Sequence, residues 1–101
     1  MKYRMDDDGV IVDTDRATGE WEEASRWNGK FNISVATGGQ WSHQRLYLSA
    51  KRRYYLLSWS DWQGTRGSTR WMSPKEAAAW LALNGHVMPA DLTAVAAEVT
   101  E

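Results

Sequence analysis

The chain has 101 residues, enough for one small hydrophobic core and too few for a second domain. Hydrophobic content of 43% and charged content of 25% belong to an ordinary folded protein and exclude a disordered or fibrous one. Net charge is −1, so no overall excess draws the chain to a polyanion.

There is no cysteine, which excludes a disulfide framework and thiolate chemistry. No apolar run approaches the roughly 20 residues of a membrane span, and Met1 to Asp8 holds no hydrophobic signal region. A cytoplasmic location is expected. The charge is sectored. Residues 1–24 carry eight acids and three bases, residues 25–75 nine bases and one acid (Asp61), and residues 76–101 four acids and no base. Such sectoring marks an electrostatic binding surface or segments that pack on each other. Seven tryptophans enlarge what a small core can bury, and Trp also collects at interfaces.

Residues 1–8 end in Asp6-Asp7-Asp8 and read as a frayed start. A β-meander is expected over 9–72. Gly9 to Thr14 is its first strand, Asp15 to Gly19 a turn, and Glu20 to Trp27 a second strand. A calcium loop counted from Asp13 fails, because Ala17 and Thr18 stand where an oxygen ligand and Gly are needed. Asn28-Gly29 predicts a two-residue type I′ hairpin between Trp27 and Lys30. The next strand alternates, with Phe31, Ile33 and Val35 on one face; Thr37 to Gln40 is a loop.

Trp41 to Ser49 and Arg53 to Trp59 are the strongest strands, joined by Ala50-Lys51-Arg52. A three-residue turn puts Leu46, Leu48, Tyr54 and Leu56 on one face and His43, Arg45, Tyr47, Arg53, Tyr55, Leu57 and Trp59 on the other. A two-residue turn would mix the sets, so the hydrophobic pattern selects the longer one. Asp61 to Ser68 is a loop, and Thr69 to Met72 a short last strand. Residues 73–101 form a helical pair. Ser73, Pro74 and Glu76 supply N-cap, first-turn proline and capping box, and Gly85 terminates the first helix. Pro89 to Val99 repeats apolar residues at helical spacing.

The run from Leu46 to Leu92 carries Leu-Tyr-x-Ser-x-Lys before Arg-Tyr-Tyr-Leu. Ser60-x-Trp62-Gln63-Gly64, Ser-x-x-Glu-Ala-Ala-x-Trp-Leu and Asn84-Gly85-His86 follow. This pattern resembles small uncharacterised bacterial and mobile-element proteins. The resemblance covers about half the chain, implies a prokaryotic or phage origin, and carries no activity or site residues. The chain departs from it at the Lys51-Arg52 turn, where glycine is expected.

Chemistry is sparse. Only His43 and His86 are ordinary general bases near neutral pH. Ser42 and His43 point to opposite faces of a strand and form no dyad. Two histidines without cysteine make a poor metal set, so no metal or cofactor is expected. The expected fold is therefore α+β, an antiparallel meander of four to six strands with two C-terminal helices packed on one face. The uncovered face carries the expected binding site: Arg45, Tyr47, Arg52, Arg53, Tyr55 and Trp59, extended by Trp62 and Arg66. Trp, Tyr and Arg are the residue types that concentrate interface energy. The expected function is non-catalytic protein interaction, with a protein partner or a second copy of the chain. A mobile-element origin suggests an inhibitor or regulator of a bacterial nucleoprotein machine. The same basic, aromatic face could instead stack and neutralise single-stranded nucleic acid; a small enzyme is the third reading. No small-molecule substrate is expected.

Overall fold

The computed structural model describes residues 1–61 and 67–99. Its strands are Lys2–Arg4 (β1), Ile11–Asp13 (β2), Gly19–Glu22 (β3), Ser25–Trp27 (β4), Asn32–Ser34 (β5), Ser42–Leu48 (β6), Tyr54–Ser60 (β7) and Ser68–Trp71 (β8). Helices Pro74–Leu83 (α1) and Thr93–Val99 (α2) follow. An antiparallel sheet in the order β3-β6-β7-β8 forms the centre, and β1–β2 and β4–β5 are separate two-stranded ladders. The architecture is α+β, as the sequence requires. No described helix is long and apolar enough to cross a membrane.

The β6–β7 register pairs Leu46 with Leu56, Tyr47 with Tyr55 and Leu48 with Tyr54. Ala50-Lys51-Arg52 is thus the three-residue turn that the hydrophobic faces select. Such turns place their last residue in the left-handed region, usually as glycine. Here that residue is Arg52, at φ +64, the only non-glycine with positive φ among the described residues.

The upper face of the sheet is roofed by the helices. Leu46, Leu48, Tyr54 and Leu56 pack with Ala77, Ala78, Trp80 and Leu81 of α1 and with Leu92. Ser73 Oγ accepts the Glu76 N–H at 3.1 Å while Glu76 accepts the Ser73 N–H at 3.0 Å, completing the capping box. Gly85, at φ +74, ends the helix. The second helix starts later than predicted, because Ala90–Leu92 is a 3₁₀ turn.

The lower face departs from expectation. Residues 1–8 are not frayed: Lys2, Tyr3, Arg4 and Met5 alternate exposed, half-buried, exposed, buried. Met5 is 1% exposed and joins Val12, Tyr47, Tyr55 and Leu57 in a second core. Two hydrogen bonds stitch this segment to β8, from the Asp6 N–H to the Thr69 carbonyl (3.0 Å) and from Thr69 Oγ1 to the Arg4 carbonyl (3.0 Å). The predicted hairpin at Asp15 to Gly19 does not form either. β2 pairs with β1, Thr14–Arg16 is a 3₁₀ turn, and β3 leaves to pair with β6. The single strand predicted over Glu20 to Trp27 breaks at Glu23-Ala24, where the chain leaves the main sheet for β4.

Candidate binding surface

The sheet face expected to be open is covered by the chain's own start. Tyr47 and Tyr55 are 5% and 0% exposed and stack on each other at 5.2 Å between ring centroids. Trp71 meets Tyr55 edge-on at 6.1 Å. Burial drives the Tyr55 phenol far above its ordinary pKa, and its hydroxyl has no hydrogen-bond partner among the described residues. These two tyrosines are core, and the sequence-based assignment of both to a binding face is corrected on that ground.

The remaining predicted residues divide. Arg45 lies in the sheet with its guanidinium 3.0 Å from Glu20 and 3.2 Å from Glu22, and 5.7 Å above the Trp59 ring. Acids of β3 therefore neutralise it in place. Trp59 is half-buried, stacked on His43 at 5.5 Å. Arg52 and Arg53 sit at the exposed β6–β7 turn, at the far end of the strand from Trp59. Trp62 and Arg66 lie outside the described residues.

The fold also makes a cluster that spacing did not reveal. His43 Nδ1 is 2.8 Å from Glu23 Oε2, and His43 Nε2 is 2.7 Å from Asp61 Oδ2. The Glu23 hydrogen bond first, and the Asp61 one with it, raises the His43 pKa against the opposing effect of burial. Both nitrogens face carboxylates, an arrangement that favours the charged ring, which can donate from each. The His86 ring bonds the Glu22 carbonyl and stacks on Trp80 at 6.0 Å, while its backbone N–H donates to the Leu81 carbonyl at the end of α1 (3.0 Å).

Among the described residues, the β4–β5 hairpin carries the most exposed aromatic side chain. Trp27 is 65% exposed and Phe31 41%, flanked by the exposed bases Arg26 and Lys30. The turn is shifted by one residue from prediction: Trp27 pairs with Asn32, so Gly29 and Lys30 are its central residues. Only the first has positive φ (+97), the type II′ pattern. Asn28 is thereby free to cap the turn, its Oδ1 accepting the Lys30 and Phe31 N–H groups at 2.9 and 2.8 Å.

A lone two-stranded hairpin is marginal by itself. Its root is fixed by Asn84, the buried C-cap of α1, whose Oδ1 accepts the Ala24 N–H at 2.9 Å, and by the Val35 N–H to the Ala24 carbonyl at 2.8 Å. The tip projects. Residues 25–32 are all exposed. Between Ala24 and Ser60 the sequence holds no acid. That gap, with an Asn-Gly turn between aromatics near its start, was the signal available beforehand; the break at Glu23-Ala24 that detaches the hairpin was not. No protein-family model matches the chain, and no curated protein or solved structure matches it.

Proposed function

We propose that this domain is a non-catalytic protein-interaction module that docks through the β4–β5 hairpin. The observation that carries the reading is Trp27, 65% exposed on a projecting ladder whose root is locked and whose ends are basic. A large, stiff aromatic costs little entropy to bury at a partner, and one such anchor typically contributes about 2–4 kcal/mol. Arg26 and Lys30 select an acidic rim around the pocket that takes the indole. The inhibitor or regulator role that a mobile-element origin would suggest fits a small domain of this kind and belongs to the same proposal.

Two features support it over its competitors. The sheet face that would have stacked nucleobases is occupied by Met5 and Val12, and Arg45 on it is already neutralised. Both histidines are engaged in structural contacts, which favours binding over turnover. The test is capture by the immobilised domain against a Trp27→Ala/Phe31→Ala variant. The proposal expects an acidic protein retained by the wild type and lost by the variant, with the thermal midpoint unchanged. Equal capture by both would overturn it, as would a captured nucleic acid whose affinity falls log-linearly with salt.

A further inference from the structure

We infer that the groove between the β1–β2 ladder and the β6–β7 turn is a binding site for a small organic polyanion of the nucleoside diphosphate class. The groove has a volume of about 550 Å³ and is lined by Lys2, Arg16, Lys51 and Arg53 around a floor that includes Ile11 and Trp71. That volume lies within the roughly 300–1,000 Å³ of small-ligand sites. The site shares no residue with the docking hairpin.

Four observations converge on an anion. None of the four lining cations forms a salt bridge among the described residues, although acids are plentiful nearby. Asp13, the one acid in the lining, is engaged elsewhere. It accepts the Asp15 N–H at 3.0 Å and lies 3.5 Å from the amino group of Met1. The turn that supplies Lys51 and Arg53 holds three consecutive bases, with Arg52 at φ +64. A side chain there is less stable than glycine, and the adjacent like charges add to the cost. Lys51 and Arg52 are exposed, so packing does not offset it. Unrelieved strain and charge of this kind concentrate at ligand sites.

The fourth observation is rigidity. The Trp71 N–H and Nε1–H donate to Asp7 and Asp8, each at 2.9 Å, and the Arg53 guanidinium lies 3.7 Å from the ring centroid. The wall is thus preformed, which lowers the ordering cost of binding. The lining itself is net positive, four cations to one acid; Asp7 and Asp8 are bonded to Trp71 and Asp8 feels the Arg53 charge, so the groove attracts a phosphate group with part of its positive charge already offset. An apolar floor beside that charge selects a ligand with a flat organic body over a bare inorganic anion. Arg53 stacked on Trp71 presents its edge donors to phosphate oxygens while its plane remains available to a base.

The test is calorimetric titration of the full chain with ADP, adenosine and pyrophosphate at about 50 and 150 mM salt. The expected result is saturable one-to-one binding of ADP, with adenosine and pyrophosphate each at least about tenfold weaker. Arg16→Ala/Lys51→Ala should weaken ADP by at least about tenfold with the thermal midpoint preserved. Trp27→Ala/Phe31→Ala should bind ADP like the wild type, which separates this site from the docking proposal. Should the Arg16/Lys51 variant lose its fold, Lys2→Gln carries the same expectation at about threefold. Absence of saturable binding, equal affinity for pyrophosphate and ADP, or full affinity in the charge variants would each overturn the assignment.

Discussion

Replacing Met5 by alanine tests whether the first strand is structure or tail. Met5 is 1% exposed and packs with Val12, Tyr47, Tyr55 and Leu57 beneath the sheet. Its backbone is also fixed, the N–H to the Val10 carbonyl at 2.8 Å and the carbonyl to the Gly9 N–H at 3.0 Å. Truncation removes three heavy atoms from a closed site that alanine cannot refill. Buried Met-to-Ala changes cost about 2–5 kcal/mol; the lower half applies here, because a ladder of two three-residue strands can settle toward the gap. A loss of about 2–3 kcal/mol lowers the midpoint of a 100-residue domain by roughly 8–20 °C. Urea unfolding followed by Trp fluorescence would read it as a shift in midpoint at constant slope. Val10→Ala, at a site 45% exposed, should stay within about 0.5 kcal/mol of wild type. A Met5 variant as stable as that control would refute the closed lower core.

Two further predictions concern single groups. Tyr55→Phe deletes a buried hydroxyl that has no partner among the described residues, so stability should hold or rise by up to about 1 kcal/mol. Tyr54→Phe removes the bond from its hydroxyl to Asp91 (3.1 Å) and should cost about 1 kcal/mol; in the wild type, burial and that carboxylate raise the Tyr54 pKa to about 12. A reversed order in chemical denaturation would contradict both placements. For His43 the sign follows from a folded pKa raised above the unfolded 6.5. Its stabilisation is full below that unfolded value and disappears as pH rises through the raised one. Thermal midpoints from pH 6 to 9 should therefore decline more steeply for the wild type than for His43→Gln. The variant should be about 1–2 kcal/mol weaker at the acidic end, and parallel curves would remove the carboxylate clamp from the account.

The sheet was legible where hydrophobic alternation is strong. Leu46, Leu48, Tyr54 and Leu56 fix one face, and with it the turn length, because a slip by one residue would expose all four. The first helix was legible from Ser73, Pro74 and Glu76, since capping is local chemistry. The membership of the second face was also correct, but what lies against it was not. Lys-Tyr-Arg-Met does alternate, yet four residues before an acidic run read as tail; they pair with Ile11 to Asp13 across that run, and Met5 bridges to Thr69, 64 residues away in sequence. For the same reason His43 could not be paired with Glu23 and Asp61, which lie 20 and 18 residues away on different elements. The hairpin turn moved by one residue because Asn28 gains more as a side-chain cap than as a left-handed residue, leaving glycine the only positive φ.

The central claim is that this chain seals both faces of its own sheet and leaves recognition to the projecting hairpin. Amide hydrogen exchange under native conditions tests it most directly. The account predicts that the Met5 and Asp6 amides exchange as slowly as those of Tyr55 and Leu57, all released only by global unfolding, while the Gly29 amide at the hairpin tip exchanges orders of magnitude faster. Fast exchange at Met5 and Asp6 beside slow exchange at Tyr55 would show the first strand detached from the sheet, and would return the lower face to the list of binding surfaces.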